Sequence, residues 1–130
     1  MKRLGFALFV LLCVPTSVLA QATWIDTRVA VLQGLDKVTA RISTFEAPVG
    51  EVVRFGALEI VAKACRKRPP EEQPESAAFL DIREVTAGGE KAAVFSGWMF
   101  ASSPALSAME HPVYDIWVLD CGARKPSKSG

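Results

Sequence analysis

Histidine and tyrosine occur once each in these 130 residues, and cysteine three times. One histidine leaves little for a metal, because structural zinc sites take four ligands. Glu110, His111 and Asp115 would make an incomplete set. There is no C-x-x-C pair, no G-x-S-x-G nucleophile turn and no glycine-rich phosphate loop. Gly88-Gly89 precedes a strand-like run, not the helix start that a phosphate loop uses. Beyond residue 20 no stretch keeps a long helical period. No second apolar run there approaches the roughly 20 residues of a spanning helix. No internal repeat is visible. The expectation is a small chain without metal or cofactor.

The N-terminus is the most legible region. Lys2 and Arg3 precede an apolar run over residues 4–14, which Pro15, Thr16 and Ser17 end. Val18 and Ala20 then stand at the −3 and −1 positions of a cleavage site before Gln21. Positive, apolar and small-residue zones in this order read as a cleavable signal peptide over residues 1–20. The run is too short for a membrane anchor. Cys13 follows Leu12 within the run and reads as an apolar residue lost with the signal, not as a lipidation site. Export implies a periplasmic protein, with one β domain over 21–122 and a flexible basic tail over 123–130.

Cleavage changes the arithmetic. Residues 1–20 hold two bases and no acid, so the net charge moves from +1 to −1. A near-neutral chain lacks the basic footprint of a nucleic-acid binder. Three cysteines become two, Cys65 and Cys121. In an oxidising compartment these most simply form one disulfide. The alternative is a catalytic or intermolecular thiol. A 56-position loop contributes roughly 4 kcal/mol in the chain-entropy description, a large share of the roughly 5–15 kcal/mol that holds a domain folded.

The rest reads as short strands. Gly34-Leu35-Asp36 is expected to turn, and residues 37–45 then alternate with Val38, Ala40 and Ile42 on one face. Pro48-Val49-Gly50 marks a connection. Runs at 52–55 and 58–65 follow, the second with Leu58, Ile60, Ala62 and Ala64 on one face. Strict alternation puts Cys65 on the opposite face, so a buried disulfide requires a bulge, strand end or twist near Ala64. Three prolines make residues 66–75 a loop. Residues 77–85 form a strand with Leu80 and Ile82 inward, 87–90 a hairpin turn, and 91–100 a strand. The last strand covers 113–121, with Trp117, Leu119 and Cys121 sharing a face. Residues 24–32 fit a short helix or a first strand, and 105–110 one helical turn. Six to seven short strands point to an all-β fold, a small antiparallel sandwich or barrel with one disulfide.

Residues 95–121 hold two of the three tryptophans, the histidine and the tyrosine. The 101–112 connection between two apolar strands is long, and long loops with distinctive side chains carry function disproportionately. Trp98, Phe100, Ser102, Ser103, Pro104, Glu110, His111, Pro112, Tyr114 and Asp115 are therefore the candidate surface for a protein partner. An aromatic and Met-rich set suits an interface anchor. For each ring alone, a place in the core is the simpler expectation.

The chain also resembles a family of small exported alphaproteobacterial proteins, a domain of unknown function. The likeness rests on LDKVTAR at 35–41, PVG at 48–50, FGALEI at 55–60 and Ala64-Cys65. It continues with GWMFASSPAL at 97–106 and EHPVYDIWVLDC at 110–121. The resemblance implies a periplasmic domain with paired cysteines and supplies no activity.

The expected function is therefore an accessory or binding module that meets a protein partner in the cell envelope, a membrane complex among the candidates, without catalysis. Two alternatives stand beside it. Ser103, His111 and Asp115 contain the residue types of a hydrolase relay. An exposed Trp98 or Trp24 would stack on a glycan ring. The export reading predicts an intact mass that begins at Gln21 and lies two hydrogens below the reduced form; mass spectrometry of the purified protein checks both.

Overall fold

A computed structural model describes residue 5, residues 10–15 and residues 23–122. The expected cleavage point between Ala20 and Gln21, and the tail 123–130, lie outside the described residues. Eight strands form: β1 (Ile25–Asp26), β2 (Val29–Asp36), β3 (Arg41–Pro48), β4 (Val52–Phe55), β5 (Leu58–Lys67), β6 (Ser76–Val85), β7 (Lys91–Phe100) and β8 (Tyr114–Gly122). Among the described residues the only helical piece is a short 3-10 turn, Pro104–Ser107. No helix there is long and apolar enough to cross a membrane.

All strand pairings are antiparallel and divide into two sheets. Sheet A runs β1-β5-β6-β7, with β4 on the same edge of β5 as β1 but farther along it. Sheet B runs β3-β2-β8. Both contribute to one core. Leu58, Ile60, Ala62, Ala78, Leu80, Ile82 and Met99 meet Ala30, Leu32, Ala47, Ile116 and Val118 across it. The fold is thus a sandwich, with alternate side chains of each strand turned inward. Sheet B is narrower, and Met109 from the 101–113 connection is buried in the same core.

The disulfide joins Cys65 on β5 to Cys121 on β8, with Cα atoms 5.6 Å apart. Both cysteines are buried. Each reaches the core through a bulge. On β5 the register passes from Ala62 opposite Leu80 to Ala64 opposite Phe79, leaving Lys63 as the extra residue. On β8 it passes from Val118 opposite Leu32 to Asp120 opposite Val31, leaving Leu119 extra. A bulge of one residue reverses which face the following residues take. The inward series is therefore Leu58, Ile60, Ala62, Cys65 on one strand and Ile116, Val118, Cys121 on the other. The conflict at Ala64 resolves through the bulge alternative. The expected shared face of Trp117, Leu119 and Cys121 is a correction for the same reason: Leu119 is 40% exposed while Cys121 is fully buried.

Two expectations near the start also change. Gly34-Leu35-Asp36 does not turn; it lies inside β2. A Cβ on Gly34 would sit 2.6 Å from the Phe55 ring, so the glycine marks a close approach within a strand. The turn falls at 37–40 instead. There Asp36 Oδ1 accepts the N–H groups of Val38 (2.9 Å) and Thr39 (3.2 Å), a carboxylate mimicking a backbone turn. Ala40 takes a positive φ of 58° to complete it. Val38 and Ile42, expected inward, are 76% and 60% exposed. Residues 24–32, open between a short helix and a first strand, are extended: the stretch breaks into the two-residue β1 and the start of β2, which brings the strands among the described residues to eight.

Replacing both Cys65 and Cys121 by Ala should lower unfolding free energy by about 4 kcal/mol. Urea titration followed by Trp fluorescence measures it, and a loss under about 1 kcal/mol would contradict the role given to the bridge.

Candidate functional site

The outer face of sheet A has two zones. Toward one end it is charged. Glu59 accepts from Arg54 Nη2 at 2.9 Å and pairs with Lys91 Nζ at 3.0 Å. Those two hydrogen bonds, that from Lys91 first, hold its carboxyl below the usual range. Asp81 lies within 4 Å of Lys63 (3.8 Å) and Arg83 (3.9 Å).

Toward the other end the face is aromatic and cationic. Cross-strand neighbours Phe79 and Trp98 meet edge to face, with centroids 5.5 Å apart. The Arg66 guanidinium lies 5.5 Å from the Trp98 ring centre, and that of Arg68 lies 4.2 Å from the Trp24 ring centre. Arg66 also donates Nε–H to Asp26 at 2.8 Å. Between these groups runs a shallow cleft of about 290 Å³, lined by Trp24, Arg66, Trp98 and Phe100 around Ala77. Register explains it. Arg66, Ala77 and Phe100 form one cross-strand row, and the small central side chain leaves a dip between two large ones.

Of the expected partner surface, Trp98 and Phe100 line this cleft. Ser102, Ser103 and Pro104 follow β7 at the same end, whereas Glu110, His111, Pro112, Tyr114 and Asp115 go elsewhere. β7 ends beside Ser76, where Ala101 N–H donates to the Ser76 carbonyl. β8 begins at the opposite end of β6, where His111 meets Glu84. The 101–113 connection therefore travels the length of the sandwich. It separates Trp98 and Phe100 from His111, Tyr114 and Asp115, although all lie within 18 positions of one another.

At that far end His111 has both ring nitrogens engaged. Nδ1 accepts the N–H groups of Val113 (3.0 Å) and Tyr114 (3.1 Å), so the ring proton sits on Nε2 and is given to Glu84 Oε2 at 3.1 Å. Asp115 faces Lys37 at 3.6 Å, not His111. Lys37 Nζ also donates to the His111 carbonyl at 2.7 Å. Ser103 stands at the start of the 3-10 turn, where its hydroxyl makes no capping bond, and Pro104 is the first residue of that turn. Ser103, His111 and Asp115 are not linked by any hydrogen bond to one another. Tyr114 packs edge to face on Phe55, and its hydroxyl accepts from Ala57 N–H at 3.2 Å. Gly56 makes room for that ring, since a Cβ there would fall 2.5 Å from the hydroxyl. Glu110 and Pro112 are exposed beside this cluster. No group of three His, Cys, Asp or Glu side chains among the described residues is placed to hold a metal.

Ser102 belongs to a clamp at the cleft end. Glu75 accepts from the Ser102 hydroxyl, from Ser102 N–H at 3.1 Å and from Ser76 N–H at 3.0 Å. It thereby ties the loop after β5 to the loop after β7. Partial burial works against the charge on Glu75. The hydrogen bonds of Ser102 and Ser76, with Arg68 nearby, outweigh it and hold the carboxyl below its ordinary 4.5.

Arg66, Arg68 and Phe79 were not expected at the site. By its prolines the 66–75 stretch reads as a loop, whereas β5 continues through Lys67 and sets Arg66 on the outer face. The available signal was the position of Arg66 one residue beyond Cys65: once Cys65 points inward, Arg66 must point out.

Because the folded pKa of Glu75 is lowered, its contribution to stability is present in full above about pH 4.5 and is lost as pH falls through the folded value. Glu75→Gln should therefore be less stable than the parent at pH 7 and should lose less on acidification from pH 5 to pH 3. Urea midpoints at the two pH values test it; parallel losses in both proteins would contradict the clamp.

A family model described as an uncharacterized protein conserved in bacteria (DUF2155) matches residues 30–121. The match opens within β2 and closes on Cys121, so it takes in both bulged strands, the disulfide and every residue lining the cleft except Trp24. "Uncharacterized protein RP359" of Rickettsia prowazekii (strain Madrid E) is 32% identical over 87 residues, 67% of this chain and 56% of that protein. The chain thus spans about half the length of this relative. No solved structure matches. With nearly the whole sandwich inside the matched region, the chain belongs to the DUF2155 family.

Proposed function

We propose that the protein is an exported, periplasmic binding module that meets a protein partner of the cell envelope, a membrane complex among the candidates, through the cleft on the outer face of sheet A. The observation that carries this reading is the cleft's composition. Two indoles and a phenyl ring gather at the surface beside two guanidinium groups, on a face whose other half is paired charge. Trp and Arg are the side chains that dominate interface energetics when a partner excludes water from them. Binding without catalysis is favoured because His111 and Asp115 are engaged with Glu84 and Lys37. The signal-like residues 1–20 support export. The recognition surface then contracts to Trp98 and Phe100, flanked by Ser102, Ser103 and Pro104, and gains Trp24 and Arg66.

Site-specific photo-crosslinking in the native cell tests the proposal. A crosslinker at Asp26, cross-strand from Arg66 and with its side chain 80% exposed, should give one discrete protein adduct that Trp98→Ala reduces at least tenfold. A crosslinker at Thr44, exposed on sheet B, should give none. Equal adducts from both positions, or none from Asp26, would overturn it.

A further inference from the structure

Resting on the reading that the cleft binds a protein partner, we propose that the partner fills it with one uncharged aromatic side chain, seated over Ala77. The small residue at position 77 is then the one that sets what the cleft accepts.

The hollow comes from a residue that strand formation does not ask for. β6 is a central strand of sheet A, paired on both sides. Outward positions of such a strand favour β-branched and aromatic side chains, which pack on their cross-strand neighbours. Phe79 follows that preference and meets Trp98. Ala77, two positions earlier on the same face, does not. Its neighbours in the row are Arg66 and Phe100, so two long side chains flank a methyl group.

The walls are set before a guest arrives. Phe79 holds Trp98 edge to face, and Arg66 lies over the same indole while its Nε–H is given to Asp26. On the other side Trp24 lies under Arg68. Arg68 pairs with Glu72 at 3.3 Å, and its backbone N–H donates to the Glu75 carbonyl at 3.0 Å. Walls held in this way need little ordering when a partner binds.

Charge decides what the guest is not. Both guanidinium groups already hold a carboxylate, Asp26 and Glu72, so neither calls for an acid. Both already lie over the indoles, so an incoming lysine or arginine meets a cation where it needs a bare ring. A sugar needs polar groups beside the ring it stacks on. The cleft is lined by three aromatic side chains, a methyl group and the already bonded Arg66. An uncharged side chain remains. The volume of about 290 Å³ sits at the lower bound of pockets that take whole small molecules, roughly 300 Å³, and suits one large side chain. Among the large uncharged ones an aromatic ring gains most. Ring edges and a guanidinium plane attract a second ring beyond the area it buries.

The test uses the disulfide-bonded protein and a phage-displayed library of linear 12-residue peptides. Enriched peptides should share one Phe, Tyr or Trp. Changing that residue to Leu in a synthetic copy of the strongest should weaken binding at least tenfold. Ala77→Leu fills the hollow and should weaken the same peptide at least tenfold, with the urea midpoint reporting whether the sheet is intact. Trp24 precedes β1, so Trp24→Leu removes a wall without touching a strand; it should have the same effect. Ile42→Ala, at a position 60% exposed on sheet B, should leave binding unchanged. Peptides that share only aliphatic or charged residues would overturn the proposal. So would binding that survives both Ala77→Leu and Trp24→Leu, or a selection that enriches nothing. Tryptophan quenching by peptidoglycan fragments, lost in Ala77→Leu, would make the guest a sugar and overturn it as well. Any of these results alongside crosslinks from Asp26 would sink this inference alone; absence of those crosslinks would sink the binding reading with it.

Discussion

The Cys65–Cys121 bond joins the two sheets through the core, and both strands depart from strict alternation to make it. A strand with period two places Cys65 outside with Lys63 and Glu59. The extra residue on β5 reverses the sequence of faces, and the extra residue on β8 does the same. The two bulges lie two residues before their cysteines. The same reversal that turns Cys65 inward turns Arg66 outward, onto the cleft. A covalent feature of the core therefore decides the composition of the surface. The bulge on β5 supplies both the inward Cys65 and the outward Arg66, and the bulge on β8 completes the link between the sheets.

A second constraint comes from space. Phe45 stacks on Phe55 with centroids 5.5 Å apart, Phe55 meets Tyr114 edge to face, and Tyr114 lies against His111. This column fits because Gly34 and Gly56 have no side chain to oppose the rings. It occupies the end where the 101–113 connection enters β8. His111, with its backbone bonds and its bond to Glu84, holds that connection in place. The histidine that stands out by composition thus works as a strut, and the aromatic rings that remain accessible are at the opposite end of the sandwich.

The contrast between the two ends gives the molecule a direction. At one end the aromatic rings are consumed in packing. At the other they line an open cleft. Glu75, bound to Ser102 and Ser76, braces the loops that border this second end. An accessible surface held by hydrogen bonds of its neighbours requires little ordering on binding, which is what lowers the cost of association.

Much of the fold was legible in the residues. The bounds of β4 and β7, the inward Leu80 and Ile82, the proline loop, the Gly-Gly hairpin and the cysteine pair follow from alternation, turn chemistry and counting, all of which act over a few neighbours. The need for an irregularity near Ala64 was visible as a contradiction between spacing and burial. Its form was not, because a bulge, a twist and a strand end satisfy the same local pattern. Gly34 looks like a turn residue locally because the ring that requires it, Phe55, lies 21 positions away. The candidate surface was drawn from adjacency along the chain, and the crossing of residues 101–113 divided it between two ends. The sequence by itself determined which residues alternate, which break and how many cysteines remain to pair. Only the tertiary structure decided which face each strand turns to the core beyond its bulge, and which aromatic rings stay at the surface, because both depend on partners brought together across the two sheets.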